Sequence, residues 1–427
     1  MLRAALALLF TAASCIAQEP FDRVLQLSRA RQMMAETLKH LPDFTCVATA
    51  QRSIQRVGQS NFKPIDTLRY EIAHYGHKEL WSWPGAPQFQ DSPLAAMSQN
   101  GVISDGDFAL HARSAFVDNV ANVKYAGPEE IEGRDTLRWN YDIPMFLSGW
   151  RIAYARRSEL AAVRGSFWVD ATTLEVARLH VQAEGLPTDY AITSVANTID
   201  YARTRIGQLN VLLPQTAELL LEHSSGEKRR NITEFSHCRQ YSGKVAISFE
   251  APPPTAVAEL VKVQEVTLAP GLRVHLKLKS AVDSNAVIGD QIQASVANDI
   301  TQHGEVVVPK GAVITGRIRR MEKHEEASRY FIVGVEFDDI DFPGHHARFF
   351  GSLKSLDQET PGFQWYMDFP GTMYESGEGI TSITRERSVH LEGVPGVGTF
   401  CMKGSHFRIP EGMTMVWETV SQGSAPQ

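Results

Sequence analysis

The chain has 427 residues, of which 43% are hydrophobic and 21% are charged, and its formal net charge at pH 7 is −7. A chain of this length has room for two or three domains. Its 42 basic and 49 acidic residues are spread along the sequence without a concentrated basic segment, which argues against nucleic acid as a partner.

Residues 1–17 have the composition of a secretory signal peptide. Arg3 supplies a positive charge, an apolar run follows, and Cys15, Ile16 and Ala17 form a cleavage site before Gln18. No later segment approaches about 18 consecutive apolar residues, so we expect no transmembrane span in the mature chain. The sequence therefore predicts a periplasmic or secreted protein.

An alternative for the same segment is lipoprotein processing. Ala13, Ser14 and Cys15 partly match such a site, although Ala12 stands where leucine is usual. In that case Cys15 would become the lipidated first residue, and the product would be a membrane-anchored lipoprotein.

Residues 18–250 are predicted to form one mainly β domain that begins with a helix. Pro20 suits a first helical position, and the helix is expected to end at Lys39, before Leu41 and Pro42. Apolar residues at helical spacing predict its buried face: Val24, Leu27, Met34, Ala35 and Leu38. A second helix is predicted around Asp107 to Phe116, within a long series of strands.

The clearest hairpin of this series runs from Gly165 to His180. Asp170 can start the turn through its own side chain, and the second strand alternates apolar residues such as Leu179 and Val181 with polar ones. The helix, the antiparallel meander and this hairpin resemble the periplasmic lipoprotein-carrier superfamily. The resemblance implies a helix-backed antiparallel half-barrel that holds a lipid or acylated ligand in an apolar concavity. No residues match the ligand-gating positions of that family, so none is assigned.

Residues 251–262 contain Pro252, Pro253 and Pro254 and are predicted to be a proline-rich linker. Residues 263–420 are predicted to form a small closed β-barrel with a long insert at 354–397, and residues 421–427 a disordered tail. The barrel prediction rests on strictly alternating strands and on two predicted hairpins, Val306–Ile318 and Phe407–Val420, each of which combines a strand, a tight turn and a second strand.

The alternating segments between Val266 and Met321 resemble the β-barrel domain of TrbI-like conjugal-transfer channel proteins. This chain lacks the transmembrane helix that precedes the barrel in that family and the apolar helical insertion that forms its pore. The resemblance therefore implies a free-standing barrel rather than a channel.

The insert at 354–397 is a candidate partner-binding segment. Its aromatic residues are Phe363, Trp365, Tyr366, Phe369 and Tyr374, set among prolines and glycines. Two interpretations stay open: the insert folds back on the barrel, or it binds an envelope protein.

Three cysteines would remain after signal removal, and we predict a disulfide between Cys46 and Cys238, with two unpaired buried thiols as the alternative. The sequence contains neither a nucleophile elbow nor a phosphate-binding glycine loop, and its histidines are scattered. We therefore expect an exported, non-catalytic cell-envelope protein without a metal or cofactor. Its expected role is to bind a lipid or other apolar ligand in the half-barrel; the alternative is a protein-interaction or assembly module that uses the barrel and its insert.

Overall fold

The computed structural model describes residues 5–75, 78–86, 89–90, 107–154, 157–240, 264–324, 329–356 and 396–421, with the backbone alone at residues 5–21, 400, 401 and 403. Its helices are α1 (Ala5–Lys39), α2 (Leu110–Ala112), which continues into a π-helical turn (Arg113–Val117), and α3 (Met145–Ser148). No helix in these ranges is both long enough and apolar enough to cross a membrane.

The first domain is built from twelve described strands. Ten of these form one antiparallel sheet in the order β3-β2-β1-β12-β11-β10-β9-β8-β5-β4, while β6 and β7 form a separate hairpin. The bounds are β1 (Phe44–Gln55), β2 (Lys63–Tyr75), β3 (Lys78–Ser82), β4 (Asn122–Ile131), β5 (Arg134–Ile143), β6 (Arg151–Tyr154), β7 (Arg157–Leu160), β8 (Ala162–Asp170), β9 (Val176–Glu184), β10 (Ile192–Ile206), β11 (Leu209–His223) and β12 (Lys228–Gln240).

This sheet curls around helical elements on one side, which confirms the predicted helix-backed half-barrel. Ala30, Met34 and Leu38 of α1 are buried at four-residue spacing, as a helix packed along one stripe requires. Val24 was predicted to belong to this stripe but is 67% exposed. That part of the prediction is wrong, because the buried stripe of α1 begins after Val24.

The β8–β9 hairpin shows how the sequence sets a turn. The Asp170 carboxylate accepts hydrogen bonds from the backbone N–H groups of Thr172 and Thr173, at 2.9 and 2.8 Å. These bonds, the one from Thr173 first, lower the pKa of Asp170. Leu179 and Val181 on β9 are buried, whereas the alternate residues are less so, as predicted.

Cys46 of β1 and Cys238 of β12 form a disulfide across 192 residues of sequence. The two strands are neighbours in the sheet, and their register shifts between Thr45 and Val47, beside Cys46. His237 adopts a left-handed backbone conformation at this irregularity, with φ of 51°. The predicted pairing is therefore present, and it joins the first and last strands of the meander.

The second domain contains the remaining strands: β13 (Gln264–Val266), β14 (Arg273–Leu278), β15 (Val282–Asp283), β16 (Gln291–Val296), β17 (Ile300–Gln302), β18 (Glu305–Val308), β19 (Val313–His324), β20 (Tyr330–Phe342), β21 (His345–Arg348), β22 (Gly351–Leu356), β23 (Val397–Lys403), β24 (Arg408–Ile409) and β25 (Thr414–Thr419). Its main sheet has the order β13-β21-β20-β19-β16-β14-β25-β22, and β23 pairs with β20. Contacts between β22 and β23 complete the ring, which is the predicted small closed barrel. Across its interior, Trp417 of β25 meets Phe337 of β20 edge to face at 5.6 Å between ring centroids.

The two strand-turn-strand segments of the barrel are not hairpins, and this expectation is wrong. β18 pairs with β17 and β24 with β15, whereas β19 and β25 belong to the main sheet. Each tight turn is present, with Ala312 N–H donating to the Pro309 carbonyl at 3.2 Å. Gly311 and Gly412 occupy the third turn position with φ of 88° and 87°, which explains why both turns contain glycine. The shared turn redirects the chain between two sheets instead of pairing its flanking strands.

Candidate functional site

The concave side of the half-barrel, where the ligand was predicted, is covered by Leu110–Val117, which we call the helical cover. On its inner side Phe116 packs against Phe167 of β8, with 4.7 Å between ring centroids. Phe167 in turn stacks on Trp139 of β5 at 5.7 Å. Within the described residues, large aromatic side chains thus occupy this part of the concave side.

A row of buried polar groups accompanies these rings. The Asn197 amide donates a hydrogen bond to the Asp107 carboxylate at 2.7 Å, and both residues are buried. Tyr201 lies four residues further along β10 on the same face as Asn197. Burial raises the pKa of Tyr201, with the charge of Asp107 adding to the effect, and burial also raises the pKa of Tyr141. Both phenols therefore stay protonated at physiological pH.

His111 lies on the inner side of the helical cover and is 5% exposed. Its ring meets Trp150 edge to face, with centroids 5.1 Å apart and an interplanar angle of 83°. Its Nε2 atom is buried and has no hydrogen-bond partner among the described residues. Burial lowers the pKa of His111 to about 4, so the imidazole is neutral at physiological pH.

Three consecutive apolar residues project from the half-barrel into solvent. Met145, Phe146 and Leu147, which we call the apolar knob, are 38%, 79% and 45% exposed. They form most of α3, in the connection between β5 and β6. Exposed apolar residues are common singly, but a run of large ones indicates a contact surface.

Hydrogen bonds of Ser148, the residue that follows the apolar knob, attach the knob to the rest of the domain. Ser148 is buried; its hydroxyl donates to the Ala161 carbonyl, lies 3.2 Å from the Met145 carbonyl and accepts a hydrogen bond from the backbone N–H of Trp150 at 3.2 Å. Trp150 is the same residue that packs against His111. The knob and the helical cover are therefore connected through one buried aromatic contact.

The two domains meet along the part of β2 that β3 does not cover. β3 pairs with Glu71–Tyr75 only, and Ile288 of the second domain bridges Leu68 instead. The N–H of Arg69 donates to the Ile288 carbonyl at 2.7 Å, and the N–H of Ile288 donates to the Thr67 carbonyl at 2.9 Å. The second domain thus satisfies backbone groups at this edge.

Gly289 permits this close approach. It has φ of 100°, and a Cβ atom at this position would lie 2.1 Å from the Arg69 carbonyl oxygen. The next residue, Asp290, forms a salt bridge with the Arg69 guanidinium at 2.6 Å. A residue with a side chain could not occupy position 289 without moving the domains apart.

A buried ionic cluster lies beside this contact. Arg52 of β1 and Asp66 of β2 form a bidentate pair, with N–O distances of 2.6 and 2.5 Å. Arg320 donates to Glu322 on β19, and Glu322 also contacts the His324 ring at 3.2 Å. Burial raises the pKa of Asp66; Arg52 and Arg320 oppose this shift, and Glu322 adds to it. The two ion pairs therefore interact across the domain boundary.

A cleft of about 410 Å³ opens between the domains next to this cluster. We call it the junction cleft. The first domain contributes residues of β1, β2, β12 and the β1–β2 turn, and the second contributes β19, β20 and the loop after β15. Its size and its position between two domains are typical of small-molecule sites.

Arg230 is the cleft residue with the most distinctive surroundings. Its guanidinium carbon lies 4.4 Å from the centroid of the Phe62 ring, and both residues line the cleft. Its Nε atom is buried without a hydrogen-bond partner, and no carboxylate in the described part of the chain forms a salt bridge with it. By contrast, Arg52, which also lines the cleft, is neutralised by Asp66.

No family model matches the chain, and no curated protein matches its sequence. An outer membrane lipoprotein-sorting protein domain from Vibrio parahaemolyticus is 10% identical over 51% of this chain and 92% of that structure, with a TM-score of 0.28. A DUF1329 family protein from Desulfovibrio piger is 13% identical over 51% and 92%, with a TM-score of 0.27. A LolA superfamily protein from Nitrosomonas europaea is 10% identical over 50% and 94%, with a TM-score of 0.25. Alignments with TM-scores of this size do not establish a common fold, so the half-barrel is defined by its own strand order.

Several predicted sites lie outside the described residues. These are the side chain of Cys15 and the aromatic residues of the insert, namely Phe363, Trp365, Tyr366, Phe369 and Tyr374. The partner-binding and lipidation predictions therefore stay predictions, as does the resemblance of the second domain to conjugal-transfer proteins. Within the described ranges, no group of three or more histidine, cysteine or acidic residues could hold a metal ion.

The junction cleft was not predicted, although one signal for it exists in the sequence. Ala48, Ala50 and Arg52 alternate along the buried face of β1, and Asp66 and Leu68 do so on β2. A charged residue at a buried position of a strand normally needs a partner of opposite charge. An arginine and an aspartate at buried positions of consecutive strands therefore predict a buried pair, and the register places Arg52 and Asp66 opposite each other.

Proposed function

We propose that this chain is an exported, non-catalytic protein of the cell envelope whose half-barrel domain binds a lipid or another apolar ligand. The observation that carries the proposal is the apolar knob, held rigidly on the domain by Ser148 and connected through Trp150 to the helical cover.

The energetics favour an apolar contact at this point. Burying a large apolar side chain contributes about 1.5–3 kcal/mol relative to leaving it in water. Phe146 is 79% exposed, and Met145 and Leu147 are each more than one third exposed. Covering all three would contribute on the order of 3 kcal/mol, enough to change an affinity by about two orders of magnitude.

Export is supported by two independent features. Residues 1–17 have the charge, apolar run and small residues of a signal peptide. The disulfide between Cys46 and Cys238 is of a kind that persists in oxidising compartments such as the periplasm.

The test combines native mass spectrometry with titration of an uncharged fluorescent probe. Protein extracted gently from its own envelope should carry a co-purifying lipid. After delipidation it should bind N-phenyl-1-naphthylamine. Phe146→Ser should weaken probe binding by about tenfold, because most of the exposed apolar area of the knob is lost. Leu209→Ser is the matched control, since Leu209 is 48% exposed at a hairpin end away from the knob.

Two outcomes would contradict lipid binding by the half-barrel. If no lipid co-purifies and the probe does not bind, the ligand-binding proposal is refuted. If Phe146→Ser instead abolishes a specific protein crosslink while the probe still binds normally, the knob is a docking site for an envelope protein.

A further inference from the structure

We propose that the junction cleft is a second binding site, which takes a small organic anion that carries an apolar group. The site is distinct from the half-barrel interior, because its walls come from both domains. It would bind a free solute rather than a membrane surface.

The charge of the lining favours an anion. Its ionisable residues are Arg52, Asp66, Arg230 and Lys323, three cations against one carboxylate. The carboxylate is already engaged by Arg52 in the bidentate pair. A ligand in the cleft therefore meets the Arg230 guanidinium, which forms no salt bridge with a carboxylate of the described residues.

Arg230 is oriented for this role by its own strand and by Phe62. Ser53 donates to the backbone carbonyl of Arg230 at 3.1 Å, which fixes the strand beside the cleft. The Phe62 ring supports the guanidinium in a cation–π contact, at 4.4 Å. A guanidinium presents its N–H donors in a planar fork, which suits a carboxylate, sulfonate or phosphate oxygen.

The remaining walls suit an apolar group. Ile65 and Ile232 come from the first domain, and Met321 and Phe331 from the second. A volume of about 410 Å³ admits a molecule of one or two rings or a short chain, but not a whole diacyl lipid.

Occupation of the cleft would also stabilise the contact between the domains. The ligand would touch β12 and β19 at once, and the free energy of binding would add to the Leu68–Ile288 bridge and the Arg69–Asp290 salt bridge. A saturating ligand should therefore raise the thermal midpoint of unfolding.

The test uses two arylamines that differ mainly in a sulfonate group. Isothermal titration calorimetry should show one site for 8-anilinonaphthalene-1-sulfonate, with N-phenyl-1-naphthylamine at least tenfold weaker at that site. Arg230→Gln should weaken sulfonate binding by at least tenfold, because it removes a charge-assisted hydrogen bond. Arg229→Gln is the control: Arg229 is the adjacent residue, is paired with Glu227 at 2.9 Å and does not line the cleft.

A second variant guards against misfolding. Ala286→Trp places bulk in the cleft from the loop after β15, and it should abolish sulfonate binding while the uncharged probe still binds the half-barrel. Equal sulfonate binding by Arg230→Gln and Arg229→Gln, or full binding by Ala286→Trp, would overturn the proposal. Binding to vesicles of phosphatidylglycerol without any binding of the free sulfonate would overturn it too, in favour of a lipid surface. Because the uncharged probe is followed separately, failure here leaves the proposed half-barrel function untouched.

Discussion

Protonation of His111 should destabilise the half-barrel below neutral pH. Its pKa is lowered from 6.5 to about 4 by burial beneath the helical cover. Between these values the unfolded chain binds the proton and the folded chain does not, so stability is full above about pH 6.5 and falls as the pH drops towards 4. The imidazole packs edge to face against Trp150, and its burial disfavours the charged form.

The size of the effect follows from the two pKa values. At pH 7 the contribution is close to zero. At pH 5 the unfolded histidine is almost fully protonated while the folded one is almost fully neutral, and the expected loss is about 2 kcal/mol. For a protein of ordinary stability that is a large share of the free energy of unfolding.

The assay compares the wild type with His111→Phe. Phenylalanine keeps an aromatic ring against Trp150 but cannot titrate, and every other ionisable group is common to both proteins. Urea unfolding monitored by tryptophan fluorescence at pH 7 and pH 5 should show that the wild type loses about 2 kcal/mol more than the variant over this interval. Parallel losses in the two proteins would refute the assignment of a neutral, buried histidine.

Three further outcomes are expected. Gly289→Ala should destabilise the domain contact by several kcal/mol, because its Cβ would lie 2.1 Å from a backbone oxygen. Gly304→Ala is the control, since Gly304 has φ of 85° and open space around it, and this variant measures the cost of the backbone conformation alone. Equal thermal midpoints of the two variants would contradict the steric argument. Arg52→Met should lower the free energy of unfolding, measured in urea, by about 3–5 kcal/mol, because it leaves Asp66 buried without its cationic partner. The double variant with Asp66→Leu should recover part of this loss, and no recovery would argue against a buried pair. Cys46→Ser should lower stability by up to about 5 kcal/mol in the chain-entropy model, and a calorimetric midpoint equal to that of the oxidised wild type would count against the disulfide.

The sequence predicts strands well where a single face of the strand is buried. It predicts them poorly where contacts with other elements determine whether a segment forms a strand. β14 and β16 follow the strict alternation from which strands were predicted in this part of the chain. β4 was missed because it is an edge strand with Gly127, Pro128 and consecutive glutamates, and it shows no period-2 pattern. β6 and β7 were missed because four-residue strands are too short to show a period.

Pairing partners are harder to predict than strands. The Pro309–Gly311 turn was recognised, but its residues fix only the bend and not the strands on either side. β19 pairs with β16 and β20, whose positions depend on the packing of the whole barrel. The junction cleft has the same origin, because its residues come from distant parts of the sequence. The alternation of buried and exposed positions along β1 and β2 could have indicated that Arg52 and Asp66 form a pair. It could not have predicted that Arg230 lies beside Phe62.

The contact at β2 also bears on what the half-barrel can be. An uncovered strand edge exposes unpaired backbone groups, and proteins commonly protect such edges with another element. Here the covering element is Ile288, which belongs to the second domain and forms two backbone hydrogen bonds with β2. The Arg52–Asp66 pair lies on the same two strands, close enough to Arg320 and Glu322 for their charges to affect the pKa of Asp66. Removing the second domain would therefore expose both an edge and a buried ion pair. We therefore expect the half-barrel alone to be less stable than the two-domain chain, and we infer that any ligand of the half-barrel is bound by the two domains as a unit.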